Sequence, residues 1–288
     1  MIYILLAICF SVTVSVLFKL ARRYSIDVFQ AITWNYFTAI LLTWLFLKPQ
    51  FSQLDGAPVY LYSILGFLLP TLFVAVAASV RVTGIMRTDT AQRISLIVPI
   101  AAAYFYFNEQ LSAVKIAGIA VGFIAVLLLL SKPGRQTPNR TGGSVWIYPL
   151  IVFLGFGLVD ILFKQVALTK TISFGTSLFV VYVIAFALSI IGLLYLIISG
   201  KARFQFRYIV FGWILGIANF GNILFYVKAH QSFSKSPSIV FSAMNIGVIT
   251  LGTLIGTIIF KEKTSWLNRI GIGLAIAAVI IITYSQLS

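Results

Sequence analysis

The sequence predicts an all-α polytopic membrane protein with ten transmembrane helices, arranged as two inverted five-helix repeats. Three observations lead to this prediction: the apolar composition, the number of apolar stretches, and a segment that occurs twice. Of the 288 residues, 60% are hydrophobic and 9% are charged, and the mean hydropathy is +1.05. A water-soluble domain of this composition would expose large apolar surfaces, whereas stretches of about 18 or more apolar residues cross a bilayer as helices.

Ten apolar stretches are long enough to be membrane spans, since about 20 residues cross the hydrocarbon core. They occupy residues 1–20, 28–47, 58–80, 88–107, 112–131, 146–168, 173–198, 207–228, 236–259 and 266–286. The long polar connection KPGRQTPNRTGGS follows the fifth stretch. We therefore divide the chain into a first repeat, 1–131, a linker, 132–145, and a second repeat, 146–288.

The last segment of the first half is repeated at the end of the second half. Phe107–Lys132 aligns without a gap on Phe260–Ser285, at a constant offset of 153. The identical pairs include Phe107/Phe260, Glu109/Glu262, Ser112/Ser265, Gly118/Gly271, Ile119/Ile272, Ala125/Ala278 and Val126/Val279. The first helices match too, because the residues Val14, Leu17, Phe18 and Lys19 recur at an offset of 145. Five spans is an odd number, so the second half enters the membrane from the opposite side and the repeats are inverted.

The net charge of +15 does not indicate nucleic-acid binding, because lysine and arginine occur in ones to threes between apolar runs. Connections after the odd spans hold 15 of the 21 basic residues, and those after the even spans hold six. By the positive-inside rule, the odd connections are cytoplasmic and both termini lie outside. The first basic residue, Lys19, follows the first stretch, which indicates a retained helix rather than a signal peptide. Cys9 is a single cysteine, so no disulfide framework or cysteine metal site is expected.

The ten-helix count, the halving and the paired glutamates Glu109 and Glu262 resemble the drug/metabolite transporter superfamily, EamA-like type. The run "LFK" that ends the first helix of each half, the pair Asn35-Tyr36 and Pro99 are also similar to that family. The resemblance covers essentially the whole chain and implies ten helices in two inverted repeats. The chain departs from many relatives at Ser11-Val12, where they have Trp-Gly. After helix two it has only Lys48, whereas many relatives have arginines there. Many of those relatives are also drawn with both termini in the cytoplasm.

Polar groups within the spans are the candidates for a substrate site, because they are costly in hydrocarbon and usually face the protein interior. The candidates are Arg93, Gln92, Asp160, Lys164, Lys19, Asn35, Asn219, Asn222 and Asn245. Arg93 is suited to bind a substrate carboxylate. Alternatively, its side chain extends to the membrane interface or is neutralised by Asp89, four residues earlier. Asp160 suits an amine or a coupling proton, or it neutralises Lys164 four residues away.

For several of these positions a structural role is the alternative to substrate binding. Lys19 at a helix end is typical of a snorkelling anchor, and the asparagine stripes are compatible with helix–helix hydrogen bonds. Glu109 is expected to cap a helix or form a salt bridge at the membrane surface, and His230 is expected in a loop. The spacing Gly252-x-x-x-Gly256 predicts close helix packing, as do Gly212 and Gly216. Pro99 and Pro237 are expected to loosen their helices.

These features predict a secondary transporter that moves a small polar metabolite by alternating access, with a weak preference for amino acids or other zwitterions. Its expected partners are the substrate, the lipid bilayer and a coupling ion or exchanged metabolite; no nucleic acid and no cofactor is expected. The expected location is a bacterial plasma membrane. A passive channel or a non-transporting scaffold is the alternative. An intramembrane enzyme is less favoured, since the sequence has neither HExxH nor G-x-S-x-G.

Overall fold

The computed structural model describes residues 1–51, 56–83, 85–130, 146–169, 172–259, 261 and 265–284. Side chains are described throughout these ranges except at positions 22, 85–87, 89, 129, 130 and 283. The helices in these ranges are α1 (Ile2–Arg23), α2 (Val28–Leu47), α3 (Val59–Thr83), α4 (Ile85–Ile94), α5 (Ile97–Phe105), α6 (Ala113–Leu130), α7 (Ile147–Leu168), α8 (Phe174–Ile198), α9 (Phe206–Ser232), α10 (Pro237–Ile258) and α11 (Trp266–Tyr284). The linker 132–145 and Glu262 lie outside the described residues.

Seven of these helices are long and apolar enough to cross a bilayer: α1, α2, α3, α7, α8, α9 and α10. Two more, α6 and α11, contain shorter apolar stretches, Ala113–Leu128 and Trp266–Ile282. Within the described ranges no residue forms a β-strand, so the backbone groups are paired inside helices, as a bilayer requires. The protein is therefore a helical, multi-pass membrane protein.

The fourth predicted span is not one helix but two, α4 and α5, separated at Ser95 and Leu96. Pro99 explains the break, because it lacks an N–H and its ring clashes with the carbonyl four residues earlier, that of Ser95. The Ser95 carbonyl instead accepts a tighter bond from the Val98 N–H at 2.9 Å, and the Ser95 hydroxyl donates to the Gln92 carbonyl at 2.6 Å. The expectation for Pro99 is confirmed. The expectation for Pro237 is wrong, because Pro237 begins α10, where its fixed φ is favourable.

Two helix pairs run antiparallel across the halves. A Cβ at Gly175 of α8 would lie 2.7 Å from Leu47 Cβ, and one at Gly192 would meet the Phe29 ring; these contacts join opposite ends of α2 and α8. A Cβ at Gly118 of α6 would touch Ile282 of α11. Four residues on, Gly122 faces Ala278, four residues earlier in α11. Both pairs therefore have opposite chain directions.

Two other pairs cross the halves in the same direction. Gly212 and Gly216 of α9 lie against the carbonyls of Ala31 and Asn35 in α2, where an added Cβ would come within 2.7 and 2.8 Å of the oxygens. On α3, the Tyr62 hydroxyl lies 2.7 Å from the Ser177 hydroxyl of α8, and Gly66, one turn later, faces Val181. The main packing surfaces thus join the two halves rather than neighbours within a half.

Glycine has opposite roles in α9 and α10. Close packing is confirmed at Gly212 and Gly216, since only a residue without a Cβ allows the backbone of α2 to approach this closely. The prediction for Gly252 is wrong, because a Cβ built there meets no atom of the described residues within 4 Å. No described residue therefore packs against Gly252, whereas Gly256, one turn later, is buried.

Candidate functional site

Asp160 lies on the inward side of α7. Leu150, Leu154 and Leu158, one helical turn apart, are exposed and form the lipid-facing side of this helix. At roughly 100° per residue, Asp160 lies about 200° around the helix from Leu158. Its half-buried side chain therefore faces the interior of the bundle rather than lipid.

The Asp160 carboxylate has one hydrogen bond in the described part of the protein, accepted by Oδ1 from the Tyr226 hydroxyl at 2.8 Å. Tyr226 is buried on α9 and packs edge-on against Phe163. Asn222 and Asn219, one and two turns earlier on α9, continue the same helix face, so the predicted stripe is present as a continuous face. The Oδ1 atom of Asn222 is buried and has no hydrogen-bond partner among the described residues. Asp160 and Asn222 therefore each keep one oxygen without a hydrogen-bond partner among the described residues.

Lys164 performs a different task from the one expected. Its side chain is 0% exposed, and Nζ donates to the carbonyls of His230, Phe233 and Ser234 at 3.3, 3.5 and 2.9 Å. These carbonyls lie at the end of α9, where they lack helical partners and where the helix dipole favours a cation. All three N–H donors are used, so Lys164 holds the end of α9 and has none left for a substrate. The predicted neutralisation by Asp160 is wrong.

Glu109 lies in the connection between α5 and α6 and links the two halves. Its buried carboxylate, 3% exposed for the residue, forms a 3.0 Å salt bridge with Lys115. It also accepts from the N–H and the hydroxyl of Ser238 at 2.8 and 2.6 Å. Because Pro237 has no N–H, the Ser238 N–H is the first donor of α10, and Glu109 caps it. The expected capping and salt-bridging role is confirmed, and the carboxylate is buried where α5, α6 and α10 begin or end.

His230 is not a loop residue, and that expectation is wrong. It lies in the last turn of α9, is 0% exposed, and packs between the rings of Tyr226 and Phe241 at centroid distances of 4.6 and 4.7 Å. Neither ring nitrogen has a partner among the described residues. Lys228, one of the basic neighbours that suggested a loop, extends from the helix toward Tyr3, with Nζ 5.9 Å from the centre of the ring.

The structure does not bring Arg93 to Asp160. The helix α5 runs alongside α7 in the same direction, since a Cβ at Gly157 would meet Val98 and the Gln165 amide donates to the Tyr106 hydroxyl at 3.1 Å. Arg93 lies five residues before Val98, whereas Asp160 lies three after Gly157. The two are therefore offset by eight residues, or about 12 Å along the helices. The predicted Asp89–Arg93 pair lies outside the described residues, because the Asp89 side chain is not described.

The remaining candidates are spread over four helices. Gln92 precedes Arg93 on α4 and is half-buried, and Lys19 is half-buried in α1. Asn35 is 1% exposed on α2 and its Oδ1 has no partner in the described part of the chain. Asn245 is half-buried on α10 and its amide donates to the Phe241 carbonyl of its own helix at 3.2 Å.

Two members of the Glu109 network were missed by sequence reasoning, namely Lys115 and Ser238. A signal for Ser238 exists, because a proline at the first helical position leaves the next N–H in need of an acceptor. Lys115 follows Glu109 by six residues across a helix start, and no simple spacing rule pairs them. Among the described residues no group of His, Cys, Asp or Glu is arranged to hold a metal ion.

Comparison with known proteins identifies relatives but no activity. No protein-family model matches the chain. A solved crystal structure, described simply as that of a protein, has a TM-score of 0.73 and covers 98% of this chain and 96% of its own, at 13% identity; this likeness concerns the fold. A Haemophilus influenzae protein named "Uncharacterized protein" is 42% identical over 293 aligned positions, covering 98% of this chain and 97% of that protein. The chain belongs to the same family as this Haemophilus influenzae protein.

Proposed function

We propose that the chain is a secondary transporter of the drug/metabolite transporter superfamily, EamA-like type, which moves a small polar metabolite across a bacterial plasma membrane by alternating access. Ten spans would form two inverted repeats, with α4 and α5 together as the fourth span. The observation on which this rests is the antiparallel packing of helices that hold equivalent positions in the two halves. In that scheme α2 is equivalent to α8, and α6 to α11.

The cross-half contacts support this equivalence. If the two halves are exchanged, the contact between α3 and α8 corresponds to the contact between α9 and α2. Both contacts are observed, and in each of them the two helices run in the same direction. The matching helices share a pattern, since Tyr62 and Gly66 of α3 recur as Tyr208 and Gly212 of α9, at an offset of 146. In each case the glycine lies against a backbone carbonyl of the other half.

Local backbone geometry also repeats. Asn108 and Lys261, which are 153 positions apart, both have a φ of 52°, in the left-handed region that non-glycine residues rarely adopt. A few residues later, the Ser112 hydroxyl accepts from the Lys115 N–H at 3.3 Å, and the Ser265 hydroxyl accepts from the Asn268 N–H at 3.2 Å. Two unrelated helices would not share a strained residue and a cap at one offset.

Inverted repeats give a physical basis for alternating access. If the two halves adopt different conformations, exchanging those conformations turns the central site from one side of the membrane to the other. The broken fourth span and the inward-facing Asp160 are features expected around such a site, because irregular backbone and ionisable groups persist in a membrane only where they line a cavity. Energy would come from an ion gradient or from exchange of a second metabolite.

The orientation proposed from the basic residues places both termini outside. A reporter enzyme that is active only in the cytoplasm, fused after Ser288, tests it. We expect no reporter activity, and an active fusion would reverse the orientation without affecting the fold.

Reconstitution tests the transport function. Purified full-length protein is first screened against a metabolite library by thermal stability, and each stabilising compound is then used, radiolabelled, in counterflow into preloaded liposomes. A transporter gives saturable uptake that is accelerated by the same compound inside. Uptake that never saturates indicates a channel, and no uptake of any stabilising compound indicates a scaffold. Recovery of a chemically altered compound indicates an enzyme.

A further inference from the structure

The carboxylate of Asp160 is incompletely satisfied for a group placed inside a membrane protein. Tyr226 donates to one oxygen, and the second has no partner among the described residues. Ionised carboxylates within a bundle are normally paired with a cation or with several donors. Asp160 therefore lacks a counter-charge among the residues that the structure describes.

The basic groups nearest along the chain do not supply that charge. Lys164, one turn later on α7, is committed to three carbonyls of the α9 end. Lys115 is paired with Glu109. Arg93 is offset by about 12 Å, and side chains on α4 tilt toward its N-terminus, away from the level of Asp160.

The groups beside Asp160 accept hydrogen bonds. The Tyr226 side chain leans toward the preceding turn of α9, as helical side chains do, which brings its hydroxyl over the turn that holds Asn222. The buried Oδ1 of Asn222 has no partner in the described part of the chain. Asp160 and Asn222 each have an oxygen without a hydrogen-bond partner among the described residues, and the Asn222 oxygen is enclosed by the protein. A ligand that satisfies both oxygens must donate hydrogen bonds, with the Asn222 side chain turned toward it.

We propose that the substrate carries an ammonium group, which binds between the free carboxylate oxygen of Asp160 and the Asn222 side-chain oxygen. The identification rests on the transport function proposed above, and it replaces the general class of small polar metabolites with amines. An ammonium supplies both the missing positive charge and the N–H donors. Tyr226 holds the carboxylate in place and leaves its other oxygen to the ligand.

The geometry also disfavours the α-zwitterions expected from the sequence. In an α-amino acid the amino and carboxylate groups are attached to one carbon, so an ammonium at Asp160 keeps its carboxylate close to Asp160, whereas Arg93 begins about 12 Å away along the helices and tilts away from that level. The carboxylate would instead lie among oxygen acceptors. Amines without an adjacent carboxylate fit the site better.

Matched probes test the substrate class on the purified full-length protein. The panel is butylamine, tyramine and tetramethylammonium, with butanol, tyrosol, 4-hydroxyphenylacetate and tyrosine as compounds that lack the charge or add a carboxylate. Binding is measured by titrating the thermal unfolding midpoint of the wild type and of Asp160→Asn. Asp27→Asn is the control, since it removes a carboxylate that accepts one backbone bond at the start of α2.

We expect at least one amine to stabilise the wild type and Asp27→Asn, and to bind Asp160→Asn about tenfold or more weakly, because a charge-assisted bond is lost. Tyrosol and 4-hydroxyphenylacetate should not bind better than tyramine. Equal binding to Asp160→Asn contradicts the proposal, as does a panel in which no amine binds. Because the amide substitution keeps the shape of the side chain, the unfolding midpoint without ligand reports separately on folding.

Carbodiimide labelling tests the same site without depending on the right amine. Dicyclohexylcarbodiimide should modify Asp160, whose second oxygen has no partner among the described residues, and bound tyramine or butylamine should slow the reaction. Absence of labelling at Asp160 in peptide mass spectra contradicts the proposal.

If amine binding and labelling occur but counterflow does not, the ammonium site stands and the transport function fails. If counterflow occurs only with anions or neutral compounds, transport stands and the ammonium assignment fails.

Discussion

Glu109 and Asp160 are both acidic side chains inside the bundle, yet their surroundings are opposite. Glu109 accepts from Lys115 and twice from Ser238, and these contacts tie the α5–α6 connection to the start of α10. Asp160 accepts one bond from Tyr226, and its second oxygen has no partner among the described residues. A carboxylate with every partner supplied by the chain stabilises the fold, whereas one left incomplete is available to a ligand. On the function proposed above, this difference separates a structural acid from a ligand-binding one.

Removal of the Glu109 carboxylate should have the largest effect on stability. We expect Glu109→Ala to lower the free energy of unfolding by about 3–5 kcal/mol, because the Lys115 ammonium is left buried without its partner. The double variant Glu109→Ala/Lys115→Met should recover part of that loss. Unfolding in mixed micelles measures both, with Asp160→Asn as the matched acid at the open site. A larger loss from Asp160→Asn than from Glu109→Ala would reverse the comparison.

Replacement of Lys164 tests the other end of the same closed region. Lys164→Met keeps much of the side-chain volume but removes the Nζ donor from the carbonyls of His230, Phe233 and Ser234, of which Phe233 still accepts from the Ser236 N–H at 3.1 Å. We expect a loss of about 2 kcal/mol, from unsatisfied acceptors and the helix dipole, with unchanged amine binding per folded molecule. If amine binding falls while stability does not, Lys164 belongs to the ligand site after all.

A pair of glycines extends the comparison from charge to packing. Gly212→Ala places a Cβ 2.6 Å from Trp34 Cβ and 2.7 Å from the Ala31 carbonyl, so we expect about 1–3 kcal/mol of destabilisation from overpacking. Gly252→Ala, where an added Cβ meets no described residue within 4 Å, should cost less than about 0.5 kcal/mol. Thermal unfolding of the two variants in one detergent measures the contrast. Equal losses would show that Gly252 also packs closely.

Among the variants that remove a contact, Tyr226→Phe should change stability least. Polar contacts between membrane helices contribute about 0.6 kcal/mol on average, and the ring keeps its packing against Phe163 and His230. Stability should therefore change by about that amount. The amine titration should show a larger effect than the unfolding does, since the carboxylate loses the group that orients it. An effect on stability with none on binding would make Tyr226 a packing residue only.

Much of the helix plan could be predicted from the sequence, because apolar length is a local property. The start and end of most helices lie within a few residues of the predicted stretches. The fourth predicted span is two helices, because Pro99, which was expected to loosen the helix, ends the hydrogen bonding at the Ser95 carbonyl. The prediction for His230 was wrong because the neighbouring charges suggested a loop, whereas the burial of His230 depends on its packing against Phe241 of α10.

The candidate site could be predicted only in part. Asp160 was recognisable, since an acid in an apolar run is conspicuous without any structure. The role of Lys164 could not be inferred, because its acceptors are backbone carbonyls 66 to 70 residues away. The same holds for Glu109 and Ser238, which meet through tertiary packing that no spacing within either segment encodes.

The cap of α10 also sets an order on synthesis. Glu109 is made 129 residues before Ser238, so the ribosome has completed α6, α7, α8 and α9 before the acceptor and the donor can meet. Until then Lys115 is the partner that can satisfy the carboxylate. A truncated chain that begins at the second half would lack this cap, and we infer that the halves mature as one folding unit rather than as two domains that dock after folding separately.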